Sequence, residues 1–280
     1  MKKGINIWSF DGSKTFYEKV DIAKKAGFEG IELSLDMTGE VSLESTEKDL
    51  KEVKKNIEDK GLELYSLATG LFWDFPITSG DAAKANKAKE IVKKQIESAA
   101  ILGCNSILVI PGLVNADFVD GCEVVEYDVA YDRAFKAISE LGEIAKQYKV
   151  NMGLENVWNK FLVSPLELRD FIDKINNPYV GSYLDIGNVL FNGYPEHWVK
   201  ILGNRIKAVH FKDYRKAAGG LHGFVDLLAG DVDYPAVIKA LKDVGYDGWV
   251  SGEMIPCYNN YSDQIIYNTS ASMDRIIAMK

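Results

Sequence analysis

A chain of 280 residues, 47% hydrophobic and 26% charged, has the make-up of a soluble globular protein with a substantial core; it is long for one ordinary domain but normal for an α/β barrel. Its formal net charge of −8, from 33 basic and 41 acidic residues, argues against nucleic acid as a partner, because a phosphate backbone selects a basic surface. Cys104, Cys122 and Cys257 are an odd number without CxxC spacing, which argues against a disulfide framework and a cysteine-rich zinc site.

The opening residues carry two lysines, but the apolar run behind them is too short and too interrupted for a signal peptide. No apolar run approaches membrane-spanning length, so a cytoplasmic protein with no membrane partner is expected. Strand-like and helix-like segments then alternate. The pattern predicts a first strand over residues 4–9 and a helix over 14–26 with lysines in its exposed positions. A second strand over 30–34, a highly charged helix over 47–60 with apolar residues at helical spacing, and a third strand over 62–68 follow. The loop over 69–79 carries Phe72, Trp73 and Phe75, which fit either a pocket wall or packing on a rim; Trp158 is in the same position further on.

A long helix over 83–102 precedes a fourth strand over 106–110, stopped by Pro111 and Gly112. After a loop come a helix over 127–148 and a fifth strand over 151–155. Ser164, Pro165 and Glu167 make a helix start: serine caps free amides, proline suits the first turn, and the glutamate is placed to close a capping box. A sixth strand is predicted over 180–185, a short helix over 195–202, a seventh strand over 206–211 and a glycine-containing loop over 213–229. A helix over 235–244, an eighth strand over 249–253 and a helical tail from 262 complete the chain. These are eight strand–helix units of roughly 35 residues each, without a composition shift or linker. The expectation is an α/β fold, a (β/α)8 TIM barrel filling residues 1–280 as a single domain. An open doubly wound sheet is the alternative, but no GxGxxG follows the first strand and no Walker motif is present.

Glu155, Asp185, His210 and Glu253 fall at or near the ends of the fifth to eighth strands. In a barrel those ends converge on the face that carries the site. Neighbouring strands lie about 5 Å apart, so four residues at one level can surround one ion. Any one of them alone reads more simply as half of a surface salt bridge; four on successive strands point to metal. Carboxylates with one imidazole suit Mn²⁺, Mg²⁺ or Co²⁺. His197 reads as structural or exposed. His222, in the glycine-rich loop, is open between a loop residue and a substrate contact. Asp231 and Asp233 read as a helix-start cap, and Cys104 as a small apolar residue.

The set Glu155…Asp185…His210…Glu253, its spacing, and its Asp-x-Gly and His-Phe-Lys-Asp contexts resemble the xylose isomerase-like TIM barrels. Among these the chain most resembles the ketose 3-epimerases of the tagatose/psicose type and the pentulose- and hexulose-phosphate epimerases. The resemblance covers essentially the whole chain and is densest from residue 151 to 253. It implies that the four residues bind one divalent metal, commonly Mn²⁺, and that Glu155 and Glu253 also act as the acid–base pair. Asn188 stands where members often carry His; it can hydrogen-bond a hydroxyl but cannot titrate. Arg215 answers to an arginine that such epimerases carry shortly after the strand-seven His, so Asn188 and Arg215 are the substrate-binding candidates.

The activity so implied is that of an isomerase of carbohydrate metabolism, inverting C3 of a ketose or ketose phosphate through an enediolate. Aldose–ketose isomerisation is the nearest alternative, although no His precedes His197 to serve as the early catalytic His of two-metal xylose isomerases. A dehydratase or a non-catalytic sugar-binding barrel could use the same scaffold. The apurinic-site endonuclease branch needs several strand-end histidines, where this chain offers one. Lys216 with Gly219 and Gly220 could hold a phosphate, and the aromatic-rich loops permit a homo-oligomer.

Overall fold

The computed structural model describes residues 1–280. In chain order the strands are β1 (Lys2–Asn6), β2 (Gly30–Ser34), β3 (Glu63–Ala68), β4 (Ser106–Val109), β5 (Asn151–Glu155), β6 (Val180–Asp185), β7 (Ile206–Phe211), β8 (Asp213–Tyr214), β9 (Phe224–Val225) and β10 (Trp249–Gly252). The helices are α1 (Phe16–Lys25), α2 (Glu47–Asp59), α3 (Ala82–Leu102), α4 (Tyr127–Tyr148), α5 (Pro165–Ile175), α6 (Ile186–Leu190), α7 (Pro195–Leu202), α8 (Tyr234–Asp243) and α9 (Gln264–Ile277). All strands except β8 and β9 form one closed parallel barrel in the order β1-β10-β7-β6-β5-β4-β3-β2. This is the (β/α)8 barrel that the alternation predicts. No helix is long and apolar enough to cross a membrane.

A barrel strand buries one face in the lumen and the other under a helix, so its residues are apolar throughout and not alternately. β2, β4 and β6 are buried at every position. The helices pack only one face, and their starts are fixed by side chains. Thr15 and Thr46 close full capping boxes with Glu18 and Asp49. Ser164 accepts from Glu167 N as expected. Glu167 does not complete the box, however: its carboxylate takes Val163 N at 3.1 Å and the Tyr127 hydroxyl at 2.6 Å instead. Asp233 caps α8 through Ala236 N, but Asp231 caps nothing and accepts Lys216 N at 2.8 Å. Cys104 is buried, and burial pushes its thiol up to about 12, so it packs as an inert small apolar side chain.

Two local expectations change, and one short element is added. β1 ends at Asn6, because the Asn6 side chain accepts from Trp8 N at 2.7 Å and turns residues 7–9 into a 3-10 helix. The loop predicted over 213–229 contains the antiparallel β8–β9 hairpin. The segment after Asp185 is the short helix α6, whose first free amides Asp185 caps through Asn188 N.

Candidate metal centre

The sheet register brings the four predicted residues to one level. Asp185 pairs with His210 across β6 and β7, His210 with Ser251 across β7 and β10, and Glu155 closes β5 opposite Tyr183. Glu253 lies one residue beyond β10, but its N–H still donates to Phe211 O at 3.1 Å, which extends the ladder far enough to place it. One ligand atom from each of Glu155, Asp185, His210 and Glu253 lies within 4.8 Å of all the others, and all four residues are buried. Measured from His210 Nδ1, Glu253 Oε2 is at 3.2 Å, Asp185 Oδ2 at 3.9 Å and Glu155 Oε1 at 4.0 Å.

The neighbours that aim these side chains were not visible in the sequence. Asn156 brackets the Asp185 backbone: Asp185 N donates to its Oδ1 at 2.9 Å, and its Nδ2 donates to Asp185 O at 2.9 Å. Asp185 Oδ1 is committed to Asn188 N at 2.7 Å, leaving Oδ2 for the cluster. The glycine of the Asp-x-Gly context has a steric reason. A Cβ on Gly187 would lie 2.8 Å from Lys212 Cβ and 2.9 Å from its carbonyl carbon, so only glycine lets α6 pass the exit of β7.

Two residues were missed altogether. Lys212 is 8% exposed, and its Nζ lies 2.6 Å from Glu253 Oε2 and 3.3 Å from Asp185 Oδ2, over the Phe224 ring. Glu32, on β2, is fully buried and meets His210 Nε2 at 2.7 Å on the side of the ring away from the cluster. The only cue to Lys212 was its place in His-Phe-Lys-Asp. Glu32 carried none beyond being an acidic residue inside an apolar strand.

Charge and burial set these groups apart. Burial pushes the Glu155 carboxyl well above its ordinary range, and the neighbouring Glu253 charge pushes it further. Burial likewise raises Asp185, with Lys212 opposing in part. At Glu253 burial is outweighed by Lys212 and His210, which hold the carboxyl below the usual range. Burial disfavours the charged forms of His210 and Lys212, yet the surrounding carboxylates win and raise both.

Asp185 Oδ2, His210 Nδ1 and Glu253 Oε2 are buried and receive no well-formed hydrogen bond from any side chain. Buried polar atoms left in this way are rare and call for an explanation such as an ion. Three that converge, in a set of three carboxylates and one imidazole, fit a divalent cation. A cation entering this set would compete with a proton for Glu155, whose carboxyl burial and the Glu253 charge push above its ordinary range. Mn²⁺ affinity is therefore expected to rise as pH climbs through the raised Glu155 range above the ordinary value of 4.5, and to weaken below it. Calorimetric titration at several pH values checks this; an affinity flat across the acidic range would contradict it.

The cluster opens into a cavity of about 530 Å³ whose lining includes Glu155, Glu253, Lys212, Asn188, Trp73 and Trp158. This is within the range of about 300–1,000 Å³ typical of small-molecule sites. Trp158 is fixed by donating to Asn188 O at 3.0 Å, and Trp73 packs edge-on against Phe118. Phe72 is buried in the core instead. His222 lines the cavity, whereas His197 is exposed, with 61% of its side chain accessible. Asn188 is brought to the cavity, its Nδ2 donating to Asn156 O at 3.1 Å. Arg215 is not. The β8–β9 hairpin turns it outward, where its guanidinium donates to Ala229 O at 2.7 Å. Neither Lys216 nor Gly219 lines the cavity either.

Comparison with known proteins extends this description. Residues 20–267 match the family model described as xylose isomerase-like TIM barrel. A putative L-ribulose-5-phosphate 3-epimerase, SgbU, of Haemophilus influenzae is 26% identical over 261 residues, covering 88% of this chain and 86% of its own. The structure of D-psicose 3-epimerase with D-tagatose from Clostridium cellulolyticum H10 matches with a TM-score of 0.82 at 17% identity, covering 100% of both chains. The IOLI protein, solved with a bound zinc atom, gives 0.82 at 18% identity and covers 99% of this chain and 98% of its own. At such identities these two structures speak to the fold, which they share.

Proposed function

The chain belongs to the xylose isomerase-like TIM barrel family, and on that premise we propose that it is an isomerase inverting C3 of a ketose or ketose phosphate, with Glu155 and Glu253 as the acid–base pair. The observation that carries this reading is the placement of the two glutamates. They come from β5 and β10, with β6 and β7 between them in the barrel order, yet their ligand atoms lie within 4.8 Å of each other. Inversion needs one proton carrier on each face of the carbon, and two glutamates from separate strands at one site support that reading.

Glu155, Asp185, His210 and Glu253 would hold the cation, which we assign as Mn²⁺ and which supplies Lewis-acid polarisation of the substrate carbonyl, acidifying the neighbouring C–H. One glutamate takes the C3 proton, leaving an enediolate, and the other returns a proton to the opposite face. Their environments push their carboxyls in opposite directions, one up and one down, as suits an acid–base pair. Lys212, at the cavity floor, is placed to donate to a substrate oxygen and oppose developing negative charge. Asn188 is placed to bind a hydroxyl. Trp73 and Trp158 line the cavity walls.

Whether the substrate carries phosphate is where two observations part. Relatives such as the Haemophilus influenzae protein are named for a phosphorylated ketose. The cavity lining, however, offers only Lys212 and His222 as basic residues, which favours a free ketose. Incubating the Mn²⁺-loaded protein in D₂O with a panel of free and phosphorylated ketoses separates the readings. We expect deuterium at C3 with formation of the C3 epimer. Deuterium at C1 would assign an aldose–ketose isomerase, and none at any carbon would leave a sugar-binding barrel.

A further inference from the structure

His210 reaches the cluster through one ring nitrogen only, and the other is engaged across the barrel lumen by a residue 178 positions earlier in the chain. That residue, Glu32, accepts three hydrogen bonds and faces His210 Nε2 at hydrogen-bond distance. His210 Nε2 at 2.7 Å and Asn6 Nδ2 at 2.8 Å converge on Oε2. The Tyr183 hydroxyl at 2.5 Å and Ser66 Oγ at 2.8 Å converge on Oε1. An ionised carboxylate has only acceptor sites, about four of them, so the surroundings suit the charged form and leave no place for a carboxyl proton. A neutral imidazole carries one N–H. Facing a carboxylate that three other donors already hold, the N–H of a metal-bound imidazole sits on Nε2, which leaves Nδ1 toward Glu253, Asp185 and Glu155. Nδ1 is one of the buried atoms without a hydrogen-bond partner. The Tyr183 ring stands against the imidazole, centroids 4.7 Å apart at 65°, and hinders the ring flip that would exchange nitrogen for carbon.

We propose that Glu32 is a positioning residue for metal binding: its carboxylate fixes His210 as the Nε2–H tautomer and presents Nδ1 as the metal ligand. This rests on the four-residue cluster being a metal site and does not depend on which reaction the site performs. The role follows from general behaviour. A metal-bound imidazole commonly donates its second N–H to a carboxylate or carbonyl, and removing that acceptor weakens metal binding by about 10–100-fold.

The test uses the full chain, stripped by chelator and titrated with Mn²⁺. Glu32→Gln keeps the size of the side chain but replaces one acceptor oxygen with a donor, so it should weaken Mn²⁺ by about 10–100-fold. Tyr183→Phe removes a different donor from the same carboxylate and keeps Glu32, so it should leave the affinity close to wild type. A readout independent of stability is the ¹⁵N–¹H ring correlation of His210 in Zn²⁺-loaded protein, with His197→Gln and His222→Gln used to assign the other two rings. Wild type should show a protonated Nε2 and an unprotonated Nδ1, and Glu32→Gln should lose the protected Nε2–H resonance. Wild-type affinity and ring spectrum in Glu32→Gln would overturn the proposal, as would an equal loss in Tyr183→Phe. Should Glu32→Gln fail to fold, the wild-type spectrum decides alone, since a protonated Nδ1 overturns the assignment. A wild type that binds no Mn²⁺ would sink the metal site itself. Wild-type binding with unchanged Glu32→Gln would sink only the role of Glu32.

Discussion

Glu155→Gln and Glu253→Gln are each expected to lower kcat for C3 epimerisation by about 10²–10⁴-fold, the contribution of one positioned proton carrier. Glutamine keeps the shape and one ligand oxygen but cannot carry the proton. The loss in kcat should therefore exceed the loss in Mn²⁺ affinity measured on the same variants. A sharper outcome follows from the proposed two-glutamate mechanism. With one carboxylate gone, the other can still reach the C3 hydrogen of the epimer that presents it on the matching face. In D₂O each variant should then retain C3 exchange with one epimer and lose it with the other, and the two variants should prefer opposite epimers. Wild-type turnover in either variant removes that glutamate from the acid–base pair. Exchange lost alike from both epimers in both variants would point to a one-face mechanism.

Lys212→Met is expected to destabilise the chelator-treated protein strongly and the Mn²⁺-loaded protein much less. The ammonium is buried between Glu253 and Asp185. Removing one partner of a buried ion pair costs about 3–5 kcal/mol, because the remaining charge is left without compensation. For a chain of this size that corresponds to a fall in Tm on the order of 10 °C. A divalent cation supplies the missing positive charge, so the rise in Tm on adding Mn²⁺ should be larger in the variant than in wild type. Variant and wild type are compared at one fixed pH, each with and without Mn²⁺. Equal Tm values for variant and wild type in chelator would show that Lys212 is not the internal counter-ion of this cluster.

Much of this site is legible in the amino-acid sequence. Strand ends are marked by the passage from a continuous apolar run to polar residues, and Glu155, Asp185 and His210 sit on that passage in β5, β6 and β7. Glu253 sits one residue past β10, within the error of any strand boundary. The residues missed are those whose cue is spatial. Glu32 is two residues from the end of β2 in Gly-Ile-Glu-Leu-Ser, and nothing local separates it from a glutamate pointing at solvent. Lys212 follows an apolar strand directly and reads as a surface lysine. Arg215 is the converse case: its offset from His210 suits a site residue, while the β8–β9 hairpin directs its guanidinium to Ala229 O.

The sequence by itself determined the periodicities, the order of strands and helices, and so the closed parallel barrel. Those depend on near-neighbour chemistry: apolar runs, caps and turn residues act over one or two turns of chain. It also determined which four side chains stand at the mouth, because each is tied to the end of its own strand. Only the tertiary structure decided which faces meet across the lumen: that Glu32 closes on His210, and that Lys212 turns in while Arg215 turns out. Those contacts depend on barrel closure and strand register, where one residue of slip sends a side chain to the opposite face, and the strands that make them are far apart along the chain.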